Sequence, residues 1–202
     1  MIYLLRHGET VWNTVGRFQG QRDSPLTKRG LAQADEMGTL LLQHIAGMEQ
    51  QFKGSVSPLG RAQETARRIS KVVPLTFVDE PRLMEISVGT WDGMSLYEIG
   101  VEFPGALDGT DAFDWFFRSP DGETFDDACK RVRSWLSDVS TPAVAITHGL
   151  ASRLVRGVYL GMSKREMLEL PVPQNGFYRL ATGHIDFIDR TQPSDAGGFG
   201  PM

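Results

Sequence analysis

Two short apolar runs in this chain end the same way. Met1-Ile2-Tyr3-Leu4-Leu5 runs directly into Arg6-His7-Gly8, and Ala143-Val144-Ala145-Ile146-Thr147 runs directly into His148-Gly149. Runs of this length are too short for a membrane span and read as buried strands. Strands buried on both faces belong to sheets covered by helices on both sides, with right-handed crossovers between parallel neighbours. In such sheets the ligand crevice lies outside the carboxyl ends of the strands. The repeated ending therefore brings Arg6, His7 and His148 to one side of one sheet.

The intervening sequence supplies the crossovers. After Thr10, residues 11–25 carry no sustained period and read as a loop. Thr27 caps a helix over Lys28–Ile45, with Leu31, Ala34, Met37, Leu41 and Ile45 at helical spacing. Residues 52–57 form a weak strand candidate, followed by a helix over 62–72 that ends before Pro74 and places Arg61 near its N-terminus. Residues 75–78 are another short apolar run. Residues 80–93 are irregular, and 95–101 read as a short helix. From 102 to 121 the composition turns aromatic and acidic, with Phe103, Phe113, Trp115, Phe116 and Phe117 among Asp108, Asp111, Asp114 and Asp121, as expected of a small cap. Thr124 caps a helix with Phe125, Cys129, Val132 and Leu136 on its apolar face. A helix over 150–159 follows the second His-Gly, and residues 176–181 and 184–188 flank Thr182-Gly183 as a hairpin. The expected fold is a three-layer α/β/α unit over 1–190, with a mostly parallel sheet, a C-terminal antiparallel hairpin and a disordered tail over 191–202.

Composition narrows the function. A net charge of -4 across 202 residues offers no basic footprint for nucleic acid or an acidic membrane, so anion selectivity must be local. The absence of a charged leader points to a cytoplasmic protein. The lone Cys129 forms no internal disulfide and reads as a buried small side chain.

Arg6 and Arg61 can hold phosphoryl oxygens through charge-assisted hydrogen bonds, with backbone N–H groups after Gly8 or Gly149 as further donors. Two histidines beside two arginines make a poor zinc site, and no metal or other cofactor is expected. A nucleophilic His7 must be neutral, a form that adjacent arginines favour. Attack on phosphorus then gives a phosphohistidine. The leaving oxygen needs a proton from a carboxylic acid kept protonated by burial or by the incoming phosphate; Glu85 is the candidate, with Glu9 its competitor. His148 would hold the equatorial oxygens in a reaction governed by positioning. His44 and His184 lie beside no motif and read as surface or helix-end residues.

The same residues resemble the histidine phosphatase superfamily. The resemblance runs through Arg6-His7-Gly8-Glu9-Thr10 with Trp12-Asn13, Arg17-Phe18-Gln19-Gly20, Pro25-Leu26-Thr27, Ser57-Pro58-Leu59-Gly60-Arg61-Ala62, Arg82-Leu83-Met84-Glu85, Gly122-Glu123-Thr124 and Thr147-His148-Gly149. It implies a phosphoglycerate mutase-like fold, phosphorylation of His7, a phosphoryl site bounded by Arg6, Arg61 and His148, and proton donation by Glu85. It also implies substrate contacts at Asn13, Gln19, Gly20 and Gly149, with Glu123 opening a supporting segment, although its charge alone would suit a helix N-terminus. Similar mutases carry a longer insertion with two arginines for the substrate carboxylate. Here residues 93–122 are short and acidic, with Arg118 the one cation, which favours hydrolysis of a small-molecule phosphoester. The aspartates would disfavour highly anionic substrates, and Phe113, Trp115 and Phe116 would meet an apolar leaving group. The alternatives are a phosphoglycerate mutase, a sugar bisphosphatase of the fructose-2,6-bisphosphatase type, or a silent module that binds phosphorylated ligands. Sequence does not set the oligomeric state.

Overall fold

A computed structural model of the protein describes residues 1–111, 113–140 and 142–191. The expected disordered tail lies, apart from Thr191, outside the described residues. The chain orders as β1 (Ile2–Arg6), α1 (Val11–Thr14), α2 (Lys28–Ile45), β2 (Lys53–Val56), α3 (Gly60–Ile69), β3 (Phe77–Asp79), α4 (Leu96–Glu102), α5 (Phe125–Asp138), β4 (Ala143–Thr147), α6 (Gly149–Leu160), α7 (Lys164–Glu169), β5 (Gly176–Ala181) and β6 (His184–Asp189). The six strands form one sheet in the order β3-β2-β4-β1-β5-β6. β1, β2, β3 and β4 pair in parallel, while β5 pairs antiparallel with β1 and with β6.

Side-chain alternation in the strands divides the core. Ile2 and Leu4 of β1, with Ala143 and Ala145 of β4, pack against Cys129, Val132 and Trp135 of α5, Leu154 of α6 and Met167 of α7. Tyr3 and Leu5, with Val144 and Ile146, face Met37, Leu41 and Ile45 of α2 and Ala62 and Ile69 of α3 on the other side. A third apolar group, Val88, Trp91, Ile99 and Trp115 with Met94 and Phe103, lies within the 88–117 excursion, and Phe18 from the loop after α1 packs against it.

Register fixes where the functional ends meet. Arg6 is opposite Thr147 and Val56 is opposite Ile146, so β1, β4 and β2 end at one level. The N–H groups of His7 and Ser57 then donate to Thr147 O at 3.1 Å and Ile146 O at 3.0 Å, which carries the alignment one residue beyond the strands. Close backbone approach holds the turn after β1: a Cβ on Gly30 would lie 2.0 Å from Glu9 O, so glycine alone lets α2 meet the Gly8-Glu9 backbone.

Several boundaries differ from expectation. The 11–25 loop contains α1, closed by a reciprocal Thr10 and Asn13 cap. Helix α3 begins at Gly60, not Ala62, and ends at Ile69 because its last turn tightens: the Lys71 and Val72 N–H groups donate to carbonyls three residues back. The weak strand at 52–57 is β2, paired on both sides between β3 and β4. The run at 75–78 enters the sheet only from Phe77, where it pairs with Gly54. Helix α7 has no counterpart in the expectations, although Ser163 and Glu166 form a capping box.

Candidate active site

His7 leaves β1 at the level where Thr147 and Ser57 leave theirs, and it is 3 % exposed. Its Nδ1 stands 2.7 Å from Gly8 O. A carbonyl can only accept, so Nδ1 carries the proton and Nε2 holds a bare lone pair. Arg61, at the start of α3, donates its Nε–H toward that lone pair at 3.3 Å and toward His148 Nδ1 at 3.1 Å. The other ring nitrogen of His148 is 2.7 Å from Ser57 Oγ. The two imidazoles lie 5.1 Å apart with Arg61 between them.

The rest of the Arg61 guanidinium is anchored. Nη2 donates to Gly20 O at 2.7 Å, and Nη1 donates to Arg22 O and Asp23 Oδ1, each at 2.9 Å. Asp92 fixes that loop in turn by accepting the N–H groups of Gly20, Gln21 and Arg22. Gly20 therefore acts on Arg61 through its carbonyl and does not line the cleft.

Beyond His7 opens a cleft of about 150 Å³ lined by Arg6, Asn13, Gln19, Glu85, Gly149 and Arg153, with Arg17, Phe18, Phe113 and Phe116 also on its walls. Two buried donors there have no protein partner, Arg6 Nε and Gln19 Nε2. Gln19 Oε1 accepts from Thr10 Oγ1 at 2.6 Å, which orients its amide. A Cβ on Gly149 would lie 3.6 Å from Arg6 Cζ, so the first turn of α6 borders the guanidinium directly. Glu85 closes the opposite side. Its Oε1 accepts from the N–H groups of Ile86 and Ala151, and its Oε2 accepts from Leu150 N–H at 3.1 Å, placing the carboxylate on the N-terminus of α6.

The arginines are aimed by residues 170–172, a segment with no motif of its own. Leu170 O accepts from Arg153 Nε at 2.5 Å, Pro171 O from Arg156 Nη2 at 2.6 Å, and Val172 O from Arg6 Nη1 at 2.5 Å. Three consecutive carbonyls thus hold three guanidinium groups. Gln174 Nε2 adds a bond to His7 O at 3.1 Å.

Electrostatics follow from this burial. Burial pushes the His7 imidazole well below its usual range, and Arg61 and Arg6 push it further down; His148 is lowered by burial, Arg61 and His7. Burial also brings Arg6 down to about 10, which leaves it a cation at neutral pH. Both imidazoles are neutral when folded, whereas an unfolded chain takes up protons near pH ~6.5. The unfolded state then binds more protons, so stability must fall as pH drops below ~6.5, by up to about 1.4 kcal/mol per pH unit for each histidine. Urea midpoints between pH 7 and 5 should show this decline, and a flat profile would contradict the buried neutral pair.

Besides Gly20, two expectations about the site are corrected. Glu123 does not reach the cleft: it pairs with Arg131 through Nε at 2.6 Å and Nη2 at 3.0 Å, while Arg131 Nη1 holds Arg82 O. Arg61 and His148 do adjoin the His7 ring, with Arg61 Nε 3.3 Å from His7 Nε2 and the two imidazoles 5.1 Å apart. The acidic rim is also absent from the cleft walls. Asp114 pairs with Lys164 and Arg118, and Asp121 accepts from Thr90. Trp115 is buried behind Phe116, stacked at 4.0 Å. In place of that rim the cleft has Arg153, which sequence reasoning passed over, with its Cζ 3.7 Å from the Phe113 ring centroid. No three His, Cys, Asp or Glu are grouped to hold a metal among the described residues. No helix there is long and apolar enough to cross a membrane.

A sequence model of the histidine phosphatase superfamily (branch 1) matches residues 2–187. The chain belongs to that superfamily. It is 34% identical over 197 residues to a probable phosphoglycerate mutase of Enterobacter sp. (strain 638), covering 93% of this chain and 84% of the relative. Among solved structures it is similar to the alpha-ribazole phosphatase from Shigella flexneri, at a TM-score of 0.77 and 26% identity over 93% of this chain and 94% of the other. It is also similar to a mycobacterial glucosyl-3-phosphoglycerate phosphatase solved with VO3, at a TM-score of 0.73 and 26% identity over 93% and 95% of the two chains. Members of this superfamily that resemble the chain are thus named both as mutases and as phosphatases.

Proposed function

We propose that the protein hydrolyses small-molecule phosphomonoesters, without a metal ion, through a phosphohistidine on His7. The observation that carries this reading is the tautomer of His7. With Nδ1–H held by Gly8 O, Nε2 presents its lone pair beside a cleft that contains Arg6 and Glu85.

A phosphoryl group in the cleft takes donors from Arg6 and Gln19, whose unpartnered nitrogens are already buried there. As Nε2 bonds to phosphorus, its lone pair is lost to Arg61, whose Nε–H keeps its bond to His148 Nδ1 and whose fixed positive charge faces the phosphoryl group. His148 and Ser57 brace that guanidinium from behind. The P–O bond breaks as Glu85 passes a proton to the departing oxygen. Glu85 then takes a proton from water as the water attacks phosphorus, the P–Nε2 bond breaks, and phosphate leaves.

The assay is phosphate release from p-nitrophenyl phosphate in excess EDTA. Turnover equal to that without EDTA is expected; loss that a divalent ion restores would contradict metal independence. The names of the curated relatives favour a second reading, a phosphoglycerate mutase, in which the phosphoenzyme returns its group to a second hydroxyl. It predicts interconversion of 3- and 2-phosphoglycerate at a rate above that of phosphate release.

A further inference from the structure

Every backbone N–H and C=O group from His7 to Glu9 has a partner. His7 N–H donates to Thr147 O, and His7 O accepts from Gln174 Nε2. Gly8 N–H donates to Thr65 Oγ1 at 3.3 Å, and Glu9 O accepts from Thr27 N–H at 2.9 Å. The groups that remain, Gly8 O and Glu9 N–H, are the two ends of one planar peptide unit. The first accepts from His7 Nδ1 at 2.7 Å, and the second donates to Gln33 Oε1 at 2.8 Å. Gln33 therefore stands one rigid unit away from the ring of the nucleophile.

Helix α2 delivers that contact with little freedom. Gln33 follows Gly30 by three residues and shares its face of the helix. There the helix and the turn meet backbone to backbone: a Cβ on Gly8 would lie 2.2 Å from Gly30 O, so the turn has no room to shift. The Glu9 carboxylate is turned away, accepting from Thr27 Oγ1 at 2.8 Å and lying 3.5 Å from Arg29. Its backbone N–H is left to the half-buried Gln33.

Hydrogen bonds in a chain polarise one another, so an amide whose N–H is bonded presents a stronger carbonyl acceptor. Gln33 Oε1 thereby tightens the bond from His7 Nδ1–H to Gly8 O. In the free enzyme the ring is also met by Arg61 at Nε2. Once Nε2 carries phosphorus, Gly8 O is the hydrogen-bond partner that remains to the ring among the described residues. The aim of the phosphohistidine then depends on how firmly that one peptide is held.

We propose that Gln33 is a positioning residue for the reaction: it fixes the Gly8-Glu9 peptide so that His7 and its phosphorylated form keep one orientation. This deepens the phosphohistidine reading and rests on it.

The test compares Gln33→Met and Gln33→Glu. Methionine suits the helix and has similar length, but its thioether is only a weak acceptor. Loss of one hydrogen bond predicts a kcat for p-nitrophenyl phosphate about 3- to 10-fold lower in Gln33→Met. KM should be unchanged, because Arg6 and Gln19 still bind the phosphoryl group. Gln33→Glu keeps an acceptor oxygen and should recover most of the loss. In proton NMR spectra the His7 Nδ1–H resonance, assigned by its disappearance in His7→Ala, should move upfield and exchange faster with water in Gln33→Met, and return in Gln33→Glu. An unmoved resonance or an unchanged kcat in Gln33→Met would overturn the proposal, even if the melting temperature falls. So would a kcat as low in Gln33→Glu as in Gln33→Met. The resonance is read without substrate, so the expected shift in a protein that releases phosphate from no ester would remove the hydrolytic reading alone and leave the hold on His7 standing.

Discussion

His7→Ala is expected to lower phosphoester turnover by roughly 10⁴-fold or more, because removing a nucleophile closes the covalent route and leaves only what binding contributes. The loss should lie in kcat, measured by single-turnover phosphate release. Arg6 and Gln19 remain in place to bind the phosphoryl group, so substrate should still protect the variant against thermal unfolding. The ring that is removed contacts Gly8 O, Arg61 and His148 and does not belong to either main apolar layer. The fold should therefore survive the change. Retention of more than a tenth of wild-type kcat in a clean preparation would assign the attack to another group.

The second large effect is expected at Glu85. Loss of a general acid costs on the order of 10²- to 10⁴-fold, and the cost depends on how badly the leaving oxygen needs a proton. Glu85→Gln should therefore slow hydrolysis of an alkyl phosphate far more than that of p-nitrophenyl phosphate, whose leaving group departs as a stable anion. The substitution also has a structural side. It sets an NH2 group against the N–H groups of Leu150 and Ala151 at the start of α6, where the carboxylate accepts both. That side affects both esters equally. An equal loss on the two substrates would reduce Glu85 to an anchor for α6.

The sheet and the centre of the site were legible because their signals are local. β4 begins at Ala143 and ends at Thr147 as the apolar run marks it, and Thr27 and Thr124 cap α2 and α5 as their sequence contexts predict. Arg6, His7, Arg61, Glu85 and His148 all come to the carboxyl ends of the parallel strands. What escaped the sequence depends on distance along the chain. Val172 O holds a side chain 166 residues away, and a backbone carbonyl leaves no mark in the sequence at its position. Arg153 looked like one more helix residue because nothing local says that Leu170 O and Phe113 will turn it into the cleft. The aspartates of the excursion differ from expectation for a related reason. Charge is visible in a sequence, but the partners that neutralise it, such as Lys164 for Asp114, belong to a different segment.

The covalent role of His7 can be read directly. Cleavage after Arg6 and Arg17 releases residues 7–17, which contain His7 and no other histidine. The protein would be mixed with an aryl phosphate, quenched in alkali within a turnover, digested and mapped by mass spectrometry. The account predicts one added phosphoryl group, on residues 7–17, that disappears as free phosphate forms. A phosphoryl group on any other peptide, or turnover with no labelled peptide at any quench time, would contradict it.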